Sequence, residues 1–183
     1  MNLGFDIDGV ISDFAKTLVG VIKKHYDLNL DETEICHHDL SLLLGISRVE
    51  SRQLVKETLL SDIGLIEGAK EALYQLNLDG HKIFILTARS KEFESITKDW
   101  LEHMGVRYFA LFMLNMGGKH LADVNLDLVV EDNLKEAVSL SRKVKNIFVF
   151  DHPWNRSFNV KGLFKRVYSW KNILDEIESL TKN

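Results

Sequence analysis

Apolar residues alternate at the start of the chain. Leu3, Phe5 and Ile7 precede a break at Gly9, which predicts a short buried strand from Asn2 to Asp8. The period then changes. Phe14, Leu18, Val21 and Ile22 fall on one face of a helix predicted from about Ser12 to Tyr26. A second helix is expected to begin at Ser47, because Glu50 stands three residues on and can complete a reciprocal cap. A third spans about Gly68 to Leu78 and stops before Gly80. Lys82 to Thr87 is short, apolar and rich in β-branched and aromatic residues, as a strand buried on both faces would be. Beyond it the pattern predicts a helix from about Glu92 to Met104 and strands at Tyr108–Leu114 and Leu126–Glu131. A helix from about Leu134 to Lys143, a strand at Ile147–Phe150, a polar loop over 151–165 and a closing helix from Ile173 to Leu180 follow.

Helices and strands alternate from residue 66 onward. This order predicts an α/β fold, a Rossmann-like parallel sheet with helices on both faces. The helical stretch that follows the first strand has no place in that alternation, so it reads as an insertion. The chain divides into a core of residues 1–14 and 67–183 and a small helical cap of residues 15–66. In such sheets ligands bind beyond the carboxyl ends of the strands.

Composition narrows the function. The 183 residues are 45% hydrophobic and 27% charged, the balance of an ordinary globular protein. The formal charge is −4 with a pI near 6.0, and no basic run is present, which argues against a nucleic acid polymer as partner. No apolar stretch approaches the roughly 20 residues needed to cross a bilayer. The single cysteine, Cys36, excludes an internal disulfide. A cytoplasmic protein without a membrane anchor is expected. The sequence sets no oligomeric state.

Four groups of polar residues fall at or beyond predicted strand ends: Asp6-Ile7-Asp8-Gly9, Thr87-Ala88-Arg89, Lys119, and Glu131-Asp132-Asn133. Crowded carboxylates repel, by about 4 kcal/mol for unit charges 4 Å apart at an effective dielectric near 20. A divalent cation removes that penalty, and an all-oxygen set favours magnesium or calcium over zinc. Lys119 and Thr87 add a cation and a hydroxyl for the same bound anion. A carboxylate in line with phosphorus can attack it and become an aspartyl-phosphate. Asp8, crowded by like charge, is expected to protonate more readily than a free Asp. An Asp-x-Asp-Gly match arises by chance roughly three times in a hundred chains of this length. The order of all four groups therefore decides more than any one of them.

Asp6-x-Asp8-Gly9-Val10, Thr87, Lys119 and Glu131-Asp132 resemble, in order, the four motifs of the haloacid dehalogenase superfamily of phosphatases. Within it the chain is most similar to the 5′(3′)-deoxyribonucleotidases. The extended start through Asp13-Phe14, the segment Asp151-His152-Pro153-Trp154-Asn155-Arg156 and Ser169-Trp170 carry that similarity. The resemblance implies Asp6 as nucleophile and Mg2+ ligand, and Asp8 as general acid/base with its backbone carbonyl on the metal. It implies Thr87 and Lys119 on the phosphoryl group, Asp132 as a further metal ligand, and Glu131 acting through water. Phe14 matches a position that stacks on the nucleobase. Ala88 and Arg89 complete the substrate-binding set, although Thr87-Ala88-Arg89 differs from the Thr-Ser-Pro of the animal enzymes. Arg89 either reaches the ligand or pairs with a nearby acid.

The expected activity is that of a phosphoric monoester hydrolase, a nucleotidase acting on a small phosphorylated substrate. A sugar phosphate is the alternative substrate. A receiver-like phospho-switch fits poorly, because Lys119 follows strand three and the second acid pair follows strand four. Cys36-His37-His38 reads as no zinc site, since consecutive residues do not converge on one ion. Trp154 is expected to anchor its loop, with Arg156 within possible reach of phosphate.

Overall fold

The computed structural model describes residues 1–182. Six parallel strands lie in the order β3-β2-β1-β4-β5-β6. They are β1 (Asn2–Phe5), β2 (Lys82–Thr87), β3 (Ala110–Met113), β4 (Leu128–Glu131), β5 (Asn146–Phe150) and β6 (Lys165–Val167). Strand order reverses between β1 and β4, which pair directly with Phe5 opposite Val130. That reversal opens a crevice at the carboxyl edge of the sheet.

Side chains along each strand sort by the two-residue period. Leu3, Phe5, Ile83, Ile85, Leu128, Val130, Phe148 and Phe150 join one buried cluster. It is covered by α4 (Ala69–Leu78), α5 (Glu94–His103) and α8 (Trp170–Thr181), which contribute Leu73, Leu101 and Ile173. The intervening residues face the other way. Val129, Ile147 and Val149 pack on α6 (Leu134–Leu140), while Phe84 and Leu86 pack around Ala122. Helices therefore lie on both faces of the sheet.

Between β1 and α4 lie α1 (Phe14–Tyr26), α2 (Leu40–Leu44) and α3 (Arg48–Leu59). They share a separate apolar cluster of Leu18, Val21, Ile22, Ile35, Leu40 and Leu54. The expected cap at Ser47 forms, with Ser47 Oγ accepting from Glu50 N and Glu50 accepting from Ser47 N. The chain leaves and re-enters the sheet layer side by side. Asp13 N donates to Gly64 O, and Ile66 N donates to Ile11 O.

Several boundaries differ from the pattern. β1 ends at Phe5, because the backbone turns at Ile7, whose carbonyl accepts from Val10, Ile11 and Ser12. α1 starts at Phe14, since the residues before it pair with 64–66. Within the expected loop 151–165, the turn α7 (Pro153–Arg156) forms, and β6 adds an edge strand that begins at Lys165. Three residues carrying Lys165 and Arg166 show no period, so only pairing with β5 makes them a strand. α2, at five residues, is likewise too short for a periodic signal.

Candidate active site

Each group falls where its strand or turn delivers it. Asp6 follows β1 directly; its N–H still donates to Val130 O, and its own Oδ1 accepts from Ile7 N at 2.7 Å. Thr87 is the last residue of β2 and its hydroxyl accepts from Arg89 N. Lys119 opens a short 3-10 turn after β3. Glu131 ends β4, and Glu131 Oε1 accepts from Asn133 N while Asn133 caps α6 through Lys135 N. The caps are thus taken by Asn133, which leaves Asp132 free to face Asp6.

These groups meet at the crevice. Lys119 Nζ lies 2.9 Å from Asp6 Oδ2 and 2.8 Å from Glu131 Oε2, and the lysine is only 1% exposed. Carboxylate oxygens of Asp6, Glu131 and Asp132 lie within 4.8 Å of one another. Among the described residues no other cluster of acids, histidines and cysteine has that geometry, and Cys36-His37-His38 forms none. One ammonium thus stands against three buried carboxylates. Burial pushes Asp6 up to about 8, with Lys119 pulling the other way and Glu131 and Asp8 adding to the rise. Glu131 and Asp132 are each raised to about 7, again chiefly by burial. An excess of buried, hard oxygen donors of this kind fits a divalent cation. Gly9 supports the fit: it adopts φ +81°, and a Cβ there would stand 2.5 Å from Asp132 Oδ2.

A cavity of about 840 Å³ opens from this cluster. Asp6, Asp8, Phe14, Thr87, Ala88, Arg89, Lys119 and Asp132 all border it, whereas Glu131, also singled out in the sequence, lies behind Lys119 and is not part of its lining. Residues of α3 and the loop bearing His37 and His38 also line it.

A family model described as 5′ nucleotidase, deoxy (pyrimidine), cytosolic type C protein matches residues 1–182. The chain belongs to this nucleotidase family. A nucleotidase of Clostridium acetobutylicum is 24% identical over 185 residues, covering 98% of this chain and 95% of its own. A Chlorobaculum tepidum protein with the provisional name 5′(3′)-deoxyribonucleotidase is 26% identical over 189 residues, covering 97% and 90%. Among solved structures, a haloacid dehalogenase-like hydrolase from Streptococcus pneumoniae superposes with a TM-score of 0.69 at 13% identity, covering 96% and 97%. A hydrolase of the same superfamily from Deinococcus radiodurans, solved with bound phosphate and sodium, gives 0.66 at 15%, covering 98% and 96%. The chain is thus a phosphoric monoester hydrolase by its family, with a haloacid dehalogenase-like fold.

In this nucleotidase Asp8 and Arg156 behave otherwise than the sequence suggested, while Arg89 takes the second of its two expected roles and pairs with an acid. Arg89 turns to Asp8: Arg89 Nε donates to Asp8 Oδ2 at 2.9 Å and Nη2 to Oδ1 at 2.6 Å. Ser12 Oγ donates to the same carboxylate. Asp8 is part-buried, and its desolvation alone would raise its pKa, but the guanidinium and Ser12 outweigh that and hold it below the usual carboxylate range. The expectation of easier protonation is therefore corrected; it overlooked a cation 81 residues away in sequence. Arg156, in turn, pairs with Asp151 and does not border the cavity.

The segment after β5 contributes more than its pattern indicated. Trp154 anchors its loop by donating its indole N–H to Asp132 Oδ2 at 2.9 Å. Asn155, 1% exposed, donates to Asp132 O and Phe150 O, and His152 Nε2 lies 2.6 Å from Gly9 O. Asn155 was not singled out as a functional residue; its place in the unusual run 151–156 was its only signal.

Proposed function

We propose that this nucleotidase removes phosphate from deoxyribonucleoside monophosphates through a covalent phosphoryl intermediate on Asp6, with Mg2+ as its cofactor. The observation that supports it most is the pairing of Asp6 with Lys119 at 2.9 Å, beside Asp132, at the strand-order reversal. Lys119 and the Thr87 hydroxyl would hold the transferring phosphoryl oxygens while Asp6 attacks phosphorus in line with the departing ester oxygen. Mg2+, held by Asp6, Asp132 and the Asp8 carbonyl with Glu131 through water, would supply charge neutralisation for nucleophile and phosphate alike.

Asp8 would serve both half-reactions. Arg89 and Ser12 keep its carboxylate ionised and aimed, so the proton handed to the leaving oxygen arrives with the phosphate monoester, whose second pKa is about 6. After the alcohol departs, Asp8 would take a proton from the water that hydrolyses the intermediate. Residues 15–66 would act as a cap, excluding bulk water from the intermediate. Phe14, part-buried on the cavity wall, would lie against the nucleobase, with Ala88 and Arg89 on the phosphate side. A cytoplasmic setting suits the exposed, unpaired Cys36.

The test is phosphate release from deoxyribo- and ribonucleoside monophosphates and sugar phosphates, with and without Mg2+, alongside Asp6→Asn. Mg2+-dependent turnover of deoxynucleotides, lost in the variant, is expected. Turnover of sugar phosphates alone would discard the substrate assignment, and full activity in Asp6→Asn would overturn the mechanism.

A further inference from the structure

Four lysine and arginine side chains border the catalytic cavity, and they divide into two kinds. Lys119 is shared between Asp6 and Glu131, and Arg89 is taken up by Asp8. Arg52 and Lys56 have no such partner. They stand one turn apart on α3, in the segment inserted between β1 and α4, so both project to the same side of the helix, and both border the cavity that the acid cluster borders. Both are exposed, and neither enters an ion pair among the described residues. The acids of their own helix are committed elsewhere: Glu50 caps Ser47, and Glu57 binds Lys24 and His25. The remaining exposed acid on the wall, Glu92, carries one charge against their two.

The positive charge on this wall therefore outnumbers the negative, and it is carried by the inserted helix, whereas the groups that would hold the scissile phosphate are carried by the sheet and its loops. The same cavity is also lined by apolar side chains, among them Phe14, Leu18, Val55 and Leu59. A ligand matching this layout has a phosphate at one end, an uncharged middle and an anion at the other.

We propose that Arg52 and Lys56 form a second anion subsite, and that the preferred substrates carry a second phosphate or carboxylate remote from the ester that is cleaved. A nucleoside 3′,5′-bisphosphate has this chemistry. The inference rests on the assignment of the cavity as the substrate site, and deepens it by naming the charge pattern of the substrate.

The test is equilibrium binding to Mg2+-loaded Asp6→Asn protein by calorimetry, which needs no turnover. The ligands are deoxyuridine 5′-monophosphate and deoxyuridine 3′,5′-bisphosphate, with ribose 5-phosphate and ribose 1,5-bisphosphate as a parallel pair. Within a pair the doubly charged ligand is expected to bind at least tenfold more tightly, about 1.4 kcal/mol. Adding Arg52→Gln and Lys56→Gln should close that gap to within about twofold and leave monophosphate binding unchanged. Both positions are exposed, and circular dichroism would verify the fold. Equal binding within both pairs overturns the proposal. So does a double variant that weakens every ligand alike, which would mean that the two cations only attract the scissile phosphate. A gap seen with the sugars and no binding of either nucleotide would uphold the second subsite and discard the nucleotide assignment.

Discussion

At the residue scale, the site is set by who neutralises whom. Asp8 and Asp6 stand two positions apart, yet one is held ionised by Arg89 and the other is raised toward neutrality by burial. Replacing Arg89 by Met would leave Asp8 with Ser12 as its hydrogen-bond donor and unlock its orientation. The expected result is a fall in kcat of tenfold or more with KM little changed, read from steady-state kinetics. Trp154 acts on Asp132 in the same indirect way. Trp154→Phe keeps the ring but removes the N–H, leaving a buried carboxylate oxygen short of a donor at a cost of about 1–3 kcal/mol. Loss of an outer hydrogen bond to a metal ligand typically weakens metal binding by about 10–100-fold. A Mg2+ titration of Trp154→Phe followed by isothermal calorimetry should show a shift in that range; unchanged affinity would mean that Asp132 does not hold the metal.

At the element scale, the turn after β1 is the tightest constraint. Gly9 combines a left-handed φ with crowding at the place of a side chain, where a Cβ would stand 2.5 Å from Asp132 Oδ2 and 3.2 Å from the Trp154 ring. Gly9→Ala would therefore meet a backbone strain of about 1–2 kcal/mol and push Asp132 from its position. The expected variant is folded by circular dichroism, with a thermal midpoint lowered by several degrees and phosphatase activity reduced at least tenfold. The β5–α7 segment meets this turn from the other side through His152 and Gly9 O. That contact ties residues 151–156 to the turn that presents Asp8.

At the scale of the whole molecule, three carboxylates raised to about 7–8 make stability depend on pH and on cation. Each is easier to protonate when folded than when unfolded, so its contribution is complete below about pH 4 and is lost as pH rises through 7 to 8. Asp8 acts in the opposite sense: its contribution is present above about pH 4 and is lost as pH falls through its lowered folded value. Metal-free protein should therefore melt at progressively lower temperature between about pH 6 and pH 9 in a thermal-shift series. Saturating Mg2+ should flatten that decline, because a cation takes the place of the protons. A metal-free midpoint that rises over this interval would contradict the assignment of raised acids.

Sequence alone determined the strand-and-helix alternation from residue 66, the two-sided burial of Lys82–Thr87 and the Ser47 cap. These depend on periodicity and near-neighbour hydrogen bonds, which are local. It also placed Asp6, Thr87, Lys119 and Asp132 at the sheet edge, because carboxyl ends of parallel strands gather there. Tertiary structure decided the rest. Whether Asp8 is protonated depended on Arg89, and how Asp132 is held depended on Trp154 and Asn155, partners that no local pattern brings near. β6 exists only because β5 offers it an edge. The uncompensated charge on α3 became visible only when Glu50 and Glu57 proved to be engaged elsewhere. Electrostatic partnership is a property of distance in space, and a chain read residue by residue gives distance only along itself.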